Sequence, residues 1–164
     1  MEIEIGAMRL EEADTLAELA RLIWLAHYPA IISRAQIDYM LDQRYKPGLI
    51  RQTLARGDRW DVARMEANLI GFAHAYQVSS SDYKLDKLYV HRDWQRHGIG
   101  ARLLTRVTAH ARDHDCDRLI LRVNRQNSQA IAAYLKYGFE VATLIVEDIG
   151  EGFLMDDYVM IKEI

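Results

Sequence analysis

Gln95-Arg96-His97-Gly98-Ile99-Gly100 is the stretch in which residue type and spacing point most directly to chemistry. It follows an apolar run, Leu85 to Val90, and opens an amphipathic segment that reaches about His114. A strand, a glycine turn and a helix start together make a cradle for phosphate. Glycine lets the backbone approach a ligand, and the first helical turn presents unpaired N–H groups at the positive end of the dipole. Two nucleotide loops are excluded by what is missing. No Gly-Lys-Ser/Thr completes a P-loop, because Ala101-Arg102 follows. The dinucleotide fingerprint needs its first glycine where Arg96 stands. Taken alone, the motif also reads as a plain glycine turn that caps a helix.

The elements that must position this loop follow from periodicity. Glu2 to Ala7 alternates as a strand, and Glu11 to His27 places Leu16, Leu19, Ala20 and Ile23 on one helical face. Pro29 interrupts that helix. Ser33 begins a capping box with Gln36, and Ile37, Met40 and Leu41 carry a second helix to about Tyr45. Pro47-Gly48 breaks it, and Leu49 to Ala55 forms a short third helix. Trp60 to Met65 and Leu69 to Gln77 read as antiparallel strands, and Tyr83 to Val90 as the next strand. Ile99, Leu103, Leu104, Val107 and Ala111 line one face of the following helix. Arg118 to Val123 is a short buried strand. Asn127 to Tyr137 is a helix ending at Gly138, a natural left-handed cap. Phe139 to Val146 and Phe153 to Ile161 close the chain as strands. This order calls for a mixed sheet with helices on its faces, in a single domain spanning residues 1–164.

A second motif narrows the first: Asn127-Ser128-Gln129-Ala130-Ile131-Ala132-Ala133-Tyr134-Leu135-Lys136-Tyr137-Gly138-Phe139. In order, spacing and flanking strands, the pair resembles the Gcn5-related N-acetyltransferase (GNAT) superfamily. The resemblance implies an α/β (α+β) fold with a mixed, mostly antiparallel central sheet of about seven strands flanked by helices. It also implies acetyl-coenzyme A as co-substrate. Leu88, Tyr89 and Val90 would offer backbone groups to the pantetheine arm, one N–H reaching the thioester carbonyl. Gln95 and the backbone amides of Arg96, His97, Gly98, Ile99, Gly100 and Ala101 would cradle the pyrophosphate. Asn127 matches the family's coenzyme-arm ligand and Tyr134 its general acid. Ile23-Trp24, His27-Tyr28-Pro29, Ile31-Ile32-Ser33 before Gln36-Ile37, and Asp156 to Met160 resemble a bacterial polyamine and small-amine branch.

Acetyl transfer from a thioester to an amine needs a neutral nucleophile, a held carbonyl and a proton for the leaving sulfur. A phenol titrates near about 10 and a thiol near about 8.5, so full proton transfer from Tyr134 is uphill by about 2 kcal/mol. A strong hydrogen bond, or acidity raised by the helix start and nearby cations, would cover that gap. At helical spacing with Ile131 and Leu135, Tyr134 also fits a core aromatic. Asp86, two residues before Leu88, is the candidate base, with a solvated strand carboxylate beside Lys87 as the other reading. His74, sharing a face with Phe72 and Tyr76, is the runner-up base. No His, Cys or carboxylate cluster has metal-ligand spacing, so no metal is expected.

Trp24, Tyr28 and Tyr39 are candidates for aromatic walls of the acceptor site. Acidic residues gather at Glu147-Asp148, Glu151 and Asp156-Asp157, with Asp82 and Asp86 earlier, and would favour a cationic acceptor such as a polyamine if they bordered the cleft. Acetylation of a protein N-terminus or lysine, or a non-catalytic sensor of acetyl-coenzyme A, are the competing functions. The chain has 164 residues and a formal net charge of −3, with no basic stripe, so nucleic acid is not an expected partner. No apolar run approaches a membrane span, and the single cysteine, Cys116, fits a reducing compartment, so a cytoplasmic protein is expected. The acidic, alternating N-terminus reads as a strand and not as a signal peptide. Exposed Trp or Tyr would mark a homodimer face.

Overall fold

Strands form where the sequence alternates or runs apolar, and they assemble into one sheet. The computed structural model describes residues 2–164; Met1, at the head of the segment read as the first strand, lies outside them. The strands are β1 (Ile3–Ala7), β2 (Arg59–Met65), β3 (Asn68–Gln77), β4 (Asp82–Val90), β5 (Arg118–Asn124), β6 (Glu140–Gly150) and β7 (Phe153–Glu163). The helices are α1 (Ala13–His27), α2 (Arg34–Arg44), α3 (Pro47–Ala55), α4 (Ile99–Asp113) and α5 (Ser128–Lys136). Strand order is β1-β2-β3-β4-β5-β7-β6, antiparallel throughout except for the parallel pair β4–β5. This is the mixed, mostly antiparallel sheet with flanking helices that the resemblance implied.

Differences from the expected elements have local causes. Pro47 does not break a helix but starts one, in the first turn where its missing N–H costs nothing. Strand β6 runs past Val146 to Gly150 because it forms a long hairpin with β7, closing at Gly150 opposite Phe153. The turn uses left-handed backbone at Gly150, Glu151 and Gly152. Ser33 caps α2 by accepting from the Gln36 N–H at 3.1 Å, but the box is only half formed. The Gln36 side chain instead donates to the Leu154 carbonyl at 2.8 Å, tying α2 to the hairpin.

Apolar faces divide the core in two. Helices α1, α2 and α3 bury Leu16, Trp24, Ile37 and Ile50 against Trp60, Val62 and Phe72 on one side of the sheet. Helix α4 buries Ile99, Leu103 and Val107 against Leu85, Leu119 and Leu121 on the other. Each such large side chain contributes roughly 1.5–3 kcal/mol when fully buried. Buried charges on β2 are paired: Asp61 takes Arg106 and His110 of α4, both at 3.0 Å, and Arg64 donates through Nε to Glu12 at 2.8 Å. Among the described residues no Trp or Tyr is exposed; β6 and β7 instead expose the aliphatic side chains of Val141, Leu144, Val146 and Leu154.

Two irregularities in β4 shape the centre of the molecule. Its parallel pairing with β5 covers only Asp82–Lys84 against Arg118–Ile120. Beyond Lys84 the strand keeps β3 but leaves β5, so the sheet splits and the backbone edge of Leu85–Val90 faces a gap. The pairing with β3 also skips Asp86, since His74 faces Lys87 while Ala75 faces Leu85. A bulge of this kind interrupts alternation and redirects side chains.

Candidate active site

The gap beside β4 opens into a cleft of about 770 Å³. Leu88, Tyr89 and Val90 form one edge and Asn127, Ala130, Ala133 and Tyr134 of the α5 region the other. Gln95, Arg96, Gly98, Ile99 and Gly100 close one end. There the chain adopts left-handed backbone at Arg96 (φ 65°) and at Gly98 (φ 74°), the residue that caps α4. Successive turns of this sort point amide N–H groups into one concavity, next to a helix N-terminus. Gln95 braces the loop: its side chain donates to the Val90 carbonyl at 3.2 Å and accepts from Gln129 at 3.1 Å. The His97 ring turns back onto the loop, its Nδ1 lying 2.9 Å from the Gln95 carbonyl, and His97 and Ala101 do not line the cleft. At Gly100 a Cβ would stand 3.1 Å from the Tyr137 hydroxyl, just beyond the end of α5.

Asn127 is the N-cap of α5, accepting from the Ala130 N–H at 3.4 Å. Its side-chain oxygen also accepts from His27 Nε2 at 2.9 Å, which joins the end of α1 to the start of α5. Tyr134 lies in the second turn of α5, against Phe139, with ring centroids 5.6 Å apart. Burial pushes its phenol well above the ordinary value, with the neighbouring phenols Tyr28 and Tyr137 adding to the shift. The expected acidification by a helix start and cations is therefore not met. Tyr134 sits too far along the helix, and no cation is close enough to outweigh its desolvation.

A second pocket of about 260 Å³ lies on the α2 side of β4. It shares Leu88, Tyr89, Asn127, Ala130 and Tyr134 with the larger cleft, so the two meet at these five residues. Trp24 and Tyr28 supply aromatic wall as expected, and Tyr28 shares a 2.8 Å hydrogen bond with Tyr89. Tyr39 does not line it. Its hydroxyl donates to the Ile149 carbonyl at 2.6 Å and holds the β6–β7 hairpin.

Asp86 lines this pocket inside a cluster of cations. Lys87 Nζ lies 2.6 Å away, Arg44 Nη2 3.0 Å and Lys84 Nζ 3.4 Å. Burial alone would raise the carboxyl pKa, but the charges of Arg44 and Lys87 and the Lys87 hydrogen bond outweigh it and hold the group well below the usual carboxylate range. An anion so stabilised is a poor proton acceptor, and the base role expected for Asp86 does not fit its surroundings. His74 is no better placed. Its Nε2 donates to Asp58 at 2.7 Å, its Nδ1 accepts from Lys87 at 3.1 Å, and its ring stacks on Trp60 with centroids 4.0 Å apart. Burial keeps it neutral, and it lies behind the pocket wall.

Four site residues had no signal in the sequence: Arg44, Lys84, Lys87 and Arg122 all line the pocket. Strict alternation sends Lys87 to the face opposite Asp86; the bulge brings both to one cluster. Burial beside Arg44 pushes the Lys87 ammonium down to about 8, against the pull of Asp86. The expected acidic lining is not found. Of the acidic residues singled out, only Asp86 and Asp157 line the pocket. Asp82 pairs with Arg118 at 2.7 Å, Glu147 with Arg122 at 2.6 Å and Asp156 with Arg125 at 2.6 Å, while Asp148 accepts from the Gly150 N–H at 2.8 Å. Cys116 is buried, and burial beside Asp82, Asp117 and Asp115 pushes its thiol up. Among the described residues no group of three or more His, Cys, Asp or Glu is placed to hold a metal, and no helix is long and apolar enough to cross a membrane.

The Acetyltransferase (GNAT) family profile matches residues 16–139. The chain is 29% identical to the spermidine N(1)-acetyltransferase of Thermoplasma acidophilum, over 95% of this chain and 97% of that protein. Its fold is similar to the PaiA N-acetyltransferase of Thermoplasma acidophilum in complex with coenzyme A, with 27% identity, a TM-score of 0.86 and full coverage of both chains. It also resembles a GNAT family acetyltransferase from Elizabethkingia anophelis with acetyl-CoA bound, at 18% identity and a TM-score of 0.65, over 99% of this chain and 98% of that one.

Proposed function

Because this chain belongs to the acetyltransferase (GNAT) family and is an acetyl-coenzyme A-dependent N-acetyltransferase, we propose that it acetylates a small primary amine, with Tyr134 as hydrogen-bond donor to the leaving sulfur. The observation that carries this reading is the junction of the two clefts at Leu88, Tyr89, Asn127, Ala130 and Tyr134. A phosphate-bearing coenzyme in the larger cleft, its pyrophosphate on the Gln95–Ala101 loop, would bring its thioester to that junction. An amine in the smaller pocket would meet it there. The relatives agree: one is named for spermidine acetylation and another holds coenzyme A.

The chemistry follows from these positions. The neutral amine nitrogen attacks the thioester carbonyl, and the C–N bond forms as negative charge gathers on oxygen. A backbone N–H at the unpaired edge of Leu88–Val90 stabilises that charge. The C–S bond then breaks, and the sulfur leaves as a thiolate that accepts a hydrogen bond from the Tyr134 hydroxyl until a proton arrives through solvent. The nitrogen releases its proton to solvent, which balances the one the thiolate takes up. With its high pKa, Tyr134 stays protonated across the neutral range and acts through a hydrogen bond that strengthens as charge builds on sulfur. Asp86 holds the cation cluster in place and takes no proton.

The size of the acceptor pocket favours a small molecule over a protein chain. It is walled by α2 and the β6–β7 hairpin, with Gln36, Met40 and Met155 in its lining. The test is a thiol-release assay with acetyl-coenzyme A against polyamines, amino acids, aminoglycosides and peptides. Acetylation of small amines alone supports the proposal. Turnover confined to peptides would replace it with protein acetylation. Coenzyme binding without turnover on any amine would replace it with a sensor.

A further inference from the structure

The charges that line the acceptor pocket fall into two poles. Around Asp86 stand Arg44, Lys84 and Lys87, three cations against one carboxylate, with Lys87 almost fully buried. The Asp58–His74 pair behind them adds no net charge, because burial keeps His74 neutral and Arg56 neutralises Asp58 through two 2.9 Å hydrogen bonds. Opposite, on β7, Asp157 is 2% exposed and its Oδ2 has no hydrogen-bond partner. Arg122 Nε lies 3.3 Å from that oxygen, an ion pair out of hydrogen-bonding alignment, and shares its charge with Glu147, to which Nη1 donates at 2.6 Å, so Asp157, Arg122 and Glu147 together keep one negative charge. A carboxylate this deeply buried with an unused oxygen carries a desolvation cost that a donor cation would relieve. A cluster holding excess positive charge within the same cavity repels any second ammonium and attracts an anion.

We propose that the acceptor is a small amino carboxylate, its carboxylate held by the Arg44, Lys84 and Lys87 pole and its amine received by Asp157. The proposal rests on the acetyl-transfer reading and narrows it. A polyamine would bring a second cation to the pole that already has a surplus. An amino carboxylate brings one charge of the right sign to each pole. Arg44 presents a planar guanidinium suited to a carboxylate, and Lys84 and Lys87 act as point charges beside it. Asp157 is thereby a specificity residue for the amine, and burial, which raises its carboxyl pKa, suits it to accept a proton from that amine.

The test compares γ-aminobutyrate, its carboxamide and putrescine, together with glycine, glycinamide and spermidine, in the thiol-release assay. The expected result is a kcat/KM for one of the amino carboxylates on the order of ten-fold above that for its amide and above both polyamines. Lys84→Glu, at a partly exposed position, should invert that order. Asp157→Asn should raise KM for the amine while the melting temperature holds or rises, because an unsatisfied buried charge is removed. Equal rates for acid and amide, or a preference for spermidine or putrescine, would overturn the proposal and leave the transfer reading standing. Calorimetric binding of γ-aminobutyrate against putrescine in the presence of coenzyme A covers the remaining case. Binding selective for the acid without turnover would uphold the two poles and overturn the transfer reading; binding selective for putrescine would overturn the poles.

Discussion

His27 Nε2 and Asn127 Oδ1, 100 residues apart in the chain, meet at 2.9 Å. The contact ties the last residue of α1 to the cap of α5 where the two clefts join. The same oxygen serves the Ala130 N–H, so one carboxamide both starts α5 and anchors α1. His27→Ala should remove the tie and leave the cap. A net hydrogen bond of about 0.5–1.5 kcal/mol corresponds to a roughly 2- to 12-fold weaker coenzyme Kd by calorimetry. An unaltered Kd would show that the bridge does not shape the coenzyme cleft.

Tyr134→Phe keeps the packing against Phe139 and removes only the hydroxyl. Turnover should fall by about two orders of magnitude, the lower range for a positioned acid, with coenzyme Kd unchanged. Steady-state kinetics and calorimetry on the same preparation separate the two. A kcat within a few-fold of wild type would take Tyr134 out of the acid role.

Gly98 carries φ 74° at the cap of α4, backbone that a β-branched residue adopts only at a cost of roughly 1–2 kcal/mol. Gly98→Val should distort the phosphate cradle and weaken coenzyme A binding about ten-fold or more, with a smaller effect on melting temperature. Tight coenzyme binding in the variant would place the pyrophosphate elsewhere.

Asp86→Asn leaves the buried Lys87 and the part-buried Arg44 without their carboxylate. Removing one partner of such a pair typically costs about 3–5 kcal/mol, or on the order of 6–20 °C for a chain of this size. The pH dependence has a definite sign. The carboxyl pKa of Asp86 is depressed in the folded state, so its stabilisation is fully present above the unfolded value of about 3.9 and is lost as pH falls below it. Chemical denaturation at falling pH should show this loss in wild type and a flatter response in Asp86→Asn. A variant as stable as wild type but without activity would restore Asp86 as a base.

Much of the fold was legible because periodicity and turn chemistry are local. The apolar stripe Ile99, Leu103, Leu104, Val107 and Ala111 placed α4, and Gly138, with its positive φ, ended α5. The larger cleft, which we propose holds the coenzyme, was legible for the same reason, since its loop and its two flanking elements are contiguous pieces of chain. The acceptor pocket was not. Its charges come from α2, β4, β5 and β7, and their meeting depends on a bulge at Asp86 and a strand that leaves its neighbour after Lys84. Neither event has a residue pattern that announces it.

From its own residues the sequence determined a glycine turn at the start of α4, the order of strands and helices, and the spacing of Asn127 and Tyr134, all properties of backbone conformation and helical period. Tertiary structure decided the sign of the acceptor pocket. Acidic residues dense in the sequence turn to arginine partners on the surface, while Arg44 and Lys87, distant or out of phase in the chain, converge on Asp86. The physical reason is that charge in a cavity is set by which side chains share a low-dielectric space, and that sharing is made by long-range packing.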